Sequence, residues 1–227
     1  MDPRVGTYLL DDISVYIFNW NRVSINSLVL YDKISKVLKN VTIVNCDEKL
    51  ILDQNIKHIQ LDDSHYYGSQ FTHAIRDVNP NSICCMIVGD NVHDNNFPLV
   101  FHNAVEAFNT NSMGVYAPND RRSPHSNHLE HIIGSLYNVD NTDCGFWFIN
   151  PMILASIKEF DFSISKYGWG IDFIVIAQAR KQGFLVCRDY STETDQLDHN
   201  CYYDHNAALV CWSVLDKEYN NWLASRM

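Results

Sequence analysis

Positive charge is scarce in this chain of 227 residues: 17 Lys and Arg stand against 27 Asp and Glu, a formal net charge of -10. That balance excludes a general electrostatic grip on nucleic acid, so an anionic ligand needs a local device such as a bound cation. Glycine and proline are also few, 9 and 6, and with 12% aromatic and 19% charged residues this excludes a collagen-like, low-complexity or disordered chain. No run approaches the roughly 18 to 20 apolar residues of a membrane span. The opening MDPRVGTYLLDD is charged where a secretory signal is apolar. No CxxC pair marks structural zinc. The 7 cysteines are odd in number and irregularly spaced, with Cys84 and Cys85 adjacent in an apolar run, so they read as reduced core residues and the chain as soluble and cytoplasmic. GxGxxG and the P-loop are both missing, so a nucleotide must be held by other means.

What is present is 46% hydrophobic content, enough for one large core, in alternating strand and helix patterns. ISVYIF (Ile13 to Phe18) reads as a strand, and Val23 to Leu38 has helical spacing. The beat returns with strands at Val41 to Val44 and around Ile56 to Leu61, then a helix from about Tyr67 to Val78. ICCMIV (Ile83 to Val88) is apolar at every position, the habit of a parallel strand buried on both faces, so the expected class is α/β. A helix over Phe97 to Phe108 and a strand over Met113 to Tyr116 precede a polar stretch, Pro118 to His131, expected to be a mobile loop. Beyond it come a strand near Gly145 to Asn150, a helix opened by Pro151, and a helix from Ile171 to about Gln182 capped by Gly183. Phe184 to Cys187 is the last expected strand. An acidic segment with His and Tyr follows over Asp189 to His205, then a terminal helix over Asn206 to Ser225. There is no internal repeat or linker.

Ligands of open α/β sheets bind beyond the carboxyl ends of the strands. Those ends read Asn19-Trp20-Asn21-Arg22, Asn45-Cys46-Asp47 and Gly89-Asp90-Asn91-Val92-His93-Asp94. Oxygen ligands in the last cluster suit a divalent cation, which would neutralise a diphosphate. Taken singly, each residue also has a plainer account: a hydrogen-bonded turn at Asp90, a helix cap at Asp172, a core anchor at Trp169.

In combination the segments resemble the GT-A glycosyltransferases, particularly the large inverting family that uses nucleotide-diphosphate sugars. ISVYIFNWNR is similar to the family's first strand and turn, VTIVNCD to its second strand with a base-contacting Asp, and ICCMIVGDNV to the strand carrying a DxD-type metal motif. Cys144 to Phe148, followed by YGWGID (Tyr167 to Asp172) and a helix ending in KQGF, resembles the acceptor region with its Gly-Trp-Gly-x-Asp signature. The likeness runs over roughly residues 12 to 205.

The resemblance implies a mostly parallel, Rossmann-like central sheet flanked by helices, with a small acceptor-side mixed sheet. It implies one domain over 1–227, with a nucleotide-sugar half at about 12–116, an acceptor half at about 117–205 and a terminal helix over 206–227. It assigns Asn19, Asn21, Arg22, Asp47, Gly68, Asp90 and Asn91 to the nucleotide sugar, with a UDP-sugar favoured. Trp147, Tyr167 and Trp169 fall to the acceptor, a hydroxyl-bearing molecule of which a glycan is the first choice, and Asp172 is the general base. Asp90 and His199 would hold Mn2+ or Mg2+, with Asn91 or Asp94 completing the site and His205 a rival to His199. The expected reaction is metal-dependent sugar transfer with inversion. Asp172, at a helix N-terminus, is expected to be ionised at neutral pH. Two other readings stand beside it: a sugar nucleotidyltransferase, whose Gly-rich loop and lysine are not seen after the first strand, and a silent sugar- or nucleotide-binding relative.

Overall fold

The computed structural model describes residues 5–93, 96–121, 126–197 and 205–226, without the side chains of His93 and His205. Its strands are β1 (Ile13–Asn19), β2 (Val41–Asn45), β3 (His58–Gln60), β4 (Ile83–Val88), β5 (Asn91–His93), β6 (Met113–Asp120), β7 (His128–Ile133), β8 (Leu136–Val139), β9 (Phe146–Ile149) and β10 (Leu185–Gln196). The helices are α1 (Ser24–Ser35), α2 (Tyr67–Asp77), α3 (Phe97–Thr110), α4 (Pro151–Ile157), α5 (Ile171–Lys181) and α6 (His205–Ala224). All the strands join one sheet, ordered β3-β2-β1-β4-β9-β6-β10-β8-β7 with β5 beside β10. This is the expected α/β class, with helices on both faces and a parallel core.

The unalternating apolar strands explain the layering. In β1, Tyr16 and Phe18 enter one core cluster, with residues of α2, α4 and α5, while Ile13, Val15 and Ile17 enter the other, with α1 and α3. In β4, Cys84 and Met86 face the first cluster, and Ile83, Cys85 and Ile87 the second. Period-two alternation sends successive side chains to opposite faces, and both faces are covered, so every position must be apolar.

Strands β2 and β4 flank β1, both parallel to it, and β3 lies outside β2. The chain therefore moves outward from β1 to β3 and returns on the other side as β4. The crevice between the carboxyl ends of β1 and β4 is a topological switch point. Next to β4 the direction reverses: β9 is antiparallel to β4, with Ile87 opposite Phe146. The amino end of β9 thus arrives at the same sheet edge as the carboxyl end of β4.

Two expectations are corrected. Both ends of the stretch Pro118 to His131 are strand where a mobile loop was expected: β6 runs on to Asp120 against β10, and His128 onward pairs with β8. Likewise the acidic segment after Cys187 continues β10 to Gln196, holding Arg188, Asp189, Thr192, Thr194 and Gln196 buried. The small acceptor-side mixed sheet is the mixed half of the one sheet, β9-β6-β10-β8-β7. Among the described residues no helix is long and apolar enough to cross a membrane.

Candidate active site

The switch-point crevice contains a cavity of about 150 Å³. Trp20 enters it from the turn after β1, Asp90 from the turn after β4, and Asp143, Cys144 and Gly145 from the segment before β9. Tyr66, Tyr67 and Gln70 close one wall, with Tyr167 and Gln196 completing it. Backbone bonds fasten these turns together. Gly89 NH donates to the Phe18 carbonyl (2.8 Å), Val88 NH to that of Gly145 (2.8 Å) and Leu197 NH to that of Asp90 (2.7 Å). Side chains brace the rim: Tyr67 Oη donates to the Cys144 carbonyl (3.0 Å), and Asp143 Oδ1 accepts from Gly145 NH (2.5 Å). Lys166 Nζ stands 4.5 Å from the centre of the Tyr66 ring and 5.8 Å from that of Tyr167, putting a cation beside two cavity-lining aromatics.

Asp172 belongs to the same neighbourhood. Its charge acts on Tyr67 and Cys144, both in the cavity wall, and the charge of Asp143 acts on it in turn. The YGWGID segment can deliver it because Gly168 (φ 82°) and Gly170 (φ 90°) adopt the left-handed region, turning the chain directly into α5. Burial is the largest influence on this carboxyl and raises it to about 7, against the opposing hydrogen bond from Phe173 NH. The expectation of a fully ionised group from the helix N-terminus is therefore overturned: desolvation outweighs the local dipole.

Of the residues singled out in the sequence, Asp90 and Tyr167 line the cavity. Asn19 is buried beneath it, its Nδ2 donating to Asn45 Oδ1 (2.6 Å), and Gln70 Nε2 donates to the Asn19 carbonyl (2.9 Å). Asp47 is buried and occupied: Ser24 Oγ donates to Oδ2 (2.7 Å) and Lys49 NH to Oδ1 (3.0 Å). Asn21 and Arg22 are exposed on the turn after β1. Asn91 is fully buried, pinned through its carbonyl to Asn26 Nδ2 (2.9 Å). Trp169 is exposed next to Asp172's helix.

One assignment does not survive. Trp147 has no exposed surface and packs against Phe71 in the core, so it presents no face to an acceptor. Gly68 is held by packing: a Cβ there would run into the backbone carbonyls of Ser165 and Phe162 (2.5 Å for the latter). Gly68→Ala is accordingly expected to destabilise the fold by about 1–3 kcal/mol, the usual cost of overpacking, read as a lower melting temperature. His199 and Asp94 lie outside the described residues.

Among the described residues no three of His, Cys, Asp and Glu gather as a cation site. The donors available at the cavity are the carboxylates of Asp90 and Asp143 with the amide of Gln196, an oxygen set that suits a hard divalent ion. Sequence reasoning missed Trp20, Asp143 and Gln196. Trp20 directly follows β1 and was legible; Asp143 was not, because it precedes an antiparallel strand rather than following a parallel one.

Neither a family model nor a curated protein matches the sequence. Solved structures do match the fold. One is GalNAc-T7 with UDP, GalNAc and Mn2+ (TM-score 0.59, 9% identity), aligned over 87% of this chain and 46% of that one, so this chain spans less than half its length. Another is a Bacillus anthracis protein assigned as a glucose-1-phosphate thymidylyltransferase, in complex with a sucrose (TM-score 0.56, 13% identity), aligned over 89% and 95% of the two chains. At such identities the likeness shows the shared fold alone.

Proposed function

We propose that the chain is a glycosyltransferase that moves a sugar from a nucleotide-diphosphate sugar to a hydroxyl acceptor. The observation that carries this reading is the convergence of Asp90, Tyr167 and the Asp172 neighbourhood on one cavity at the switch point. Enclosing about 150 Å³, it is smaller than the roughly 300 Å³ lower range of ligand clefts, so it would take the sugar and diphosphate while the nucleoside lies over the open turn Trp20 to Arg22. A uridine nucleotide remains the favoured donor.

Asp90, with Asp143 across the cavity, would hold a divalent cation, which when bound offsets the charge of the diphosphate. Lys166, over the Tyr66 ring, adds positive charge at the mouth. Asp172 takes the proton from the acceptor hydroxyl as that oxygen attacks the anomeric carbon and the bond to the leaving diphosphate breaks. A carboxyl titrating near neutrality is matched to that task. Attack opposite the leaving group inverts the anomeric centre.

The test is release of nucleotide from a panel of nucleotide sugars, with manganese and with chelator. Expected is manganese-dependent release for one donor, and proton NMR of the product should show the anomeric configuration inverted. Retention would overturn single displacement. A second reading, a sugar nucleotidyltransferase, is favoured by the alignment over nearly the whole Bacillus anthracis chain. It predicts pyrophosphate release from a nucleoside triphosphate and a sugar phosphate, a product the first reading does not give.

A further inference from the structure

A separate, open groove of about 670 Å³ lies between α5 and α6. Residues 140 and 141 line the groove and residues 143 to 145 line the small cavity, so the one short segment between β8 and β9 contributes to both. On the helix side Phe173 lines the groove, next in sequence to Asp172, whose charge acts on the cavity-lining Tyr67 and Cys144. Arg180, in the groove, donates to the carbonyls of Val139 and Asp140, which ties α5 to that segment.

The groove's mouth is aromatic. Phe173 and Trp212 stack with ring centres 5.0 Å apart and planes 9° from parallel, yet keep 45% and 43% of their surfaces exposed. Further along, the side-chain amides of Asn141, Gln178 and Asn220 line the walls. The charges there cancel, Asp140 and Asp216 against Arg180 and Lys181. Flat apolar rings beside planar groups that both donate and accept are suited to sugar rings, which present apolar C–H faces and a rim of hydroxyls. Balanced charge favours an uncharged ligand, and a volume of about 670 Å³ favours several rings over one.

We infer that this groove binds an uncharged oligosaccharide and leads its terminal hydroxyl to Asp172, so that the acceptor is a glycan chain rather than a single small molecule. The inference rests on the transferase reading for its meaning as an acceptor site. Its test does not, since it uses neither donor nor metal.

The full chain in chelator would be titrated calorimetrically with cellohexaose, maltohexaose, chitohexaose, mannohexaose and xylohexaose. Expected is millimolar or tighter binding of one of them. Phe173→Ala and Trp212→Ala should each weaken it about tenfold or more, while Trp212→Phe, which preserves the stack, retains most of it. Absence of binding by every hexaose at millimolar concentration would overturn the proposal, as would binding indifferent to both alanine variants. So would sedimentation showing that the free chain dimerises and that Trp212→Ala abolishes the dimer, because the groove would then seat a second copy. Nucleotide release without hexaose binding would remove the groove and leave the transferase. Hexaose binding without release would do the reverse.

Discussion

Asp172→Asn is expected to lower sugar transfer at least about a hundredfold, the low end of what a general base contributes, while leaving donor affinity unchanged. Asparagine keeps the size of the side chain and an oxygen that can still accept from Phe173 NH, but it cannot take a proton. The pH dependence distinguishes this from a structural role. With the carboxyl held up to about 7 by burial, wild-type kcat/KM should rise with pH through neutrality and level off above it, and the variant's residual activity should lose that rise.

Stability should move the other way. Because the folded carboxyl binds its proton more tightly than the unfolded one, whose ordinary value is about 3.9, the folded state is most favoured at low pH. That advantage is lost as pH climbs from about 4 through about 7, where ionising the buried group has cost on the order of a few kcal/mol. Asp172→Asn, with no charge to desolvate, should therefore melt higher than wild type at pH 8 and about level with it at pH 4. A group that is only a cap predicts no gain at pH 8, since asparagine caps about as well as aspartate.

The same residue shows how far sequence reasoning reaches. A helix N-terminus and its preference for acidic side chains are local facts, visible in WGID. The burial that dominates Asp172 is set by tertiary packing, and the groups it interacts with by charge, Tyr67, Asp143 and Cys144, lie far away in sequence. The strands divide likewise. ICCMIV announced β4 because a strand covered on both faces must be apolar throughout. In β10 the buried positions past Cys187 are polar and held by partners: Asp189 accepts from Tyr116 Oη (2.7 Å) and Ser135 Oγ (2.6 Å), and Gln196 Nε2 donates to Asp120 Oδ2 (2.6 Å). An acidic composition with no apolar run was thus a strand satisfied from within the sheet, invisible until its partners are in place.

Site residues were legible where chain direction agreed with the rule applied. Inspecting the carboxyl ends of parallel strands found Asp90 and the Trp20 turn. It passed over Asp143, since β9 runs backwards and brings its amino end to the crevice. Trp147 shows the converse: β9 is covered on both faces, Trp147 and Ile149 entering one core cluster and Phe146 and Phe148 the other, so an aromatic within the motif is core whichever way it points.

Asp90→Ala is expected to remove the metal dependence of nucleotide binding. The turn that carries Asp90 is held by backbone bonds, Leu197 NH to the Asp90 carbonyl (2.7 Å) and Gly89 NH to the Phe18 carbonyl (2.8 Å), and alanine retains both. The variant should therefore fold, and Asp90→Asn, nearly the same shape without the charge, serves as a second probe. In wild type, UDP should bind at least about tenfold more tightly in manganese than in chelator, since an acidic cavity repels a diphosphate unless its carboxylates are neutralised. Both variants should bind UDP in manganese no better than wild type does in chelator, as read by calorimetry. Two carboxylates, Asp90 and Asp143, line this cavity, so the site without a cation is electrostatically hostile to the proposed donor. Wild-type affinity that is the same in manganese and in chelator would sink the metal assignment. Unchanged manganese-dependent binding by both variants would move the cation away from Asp90.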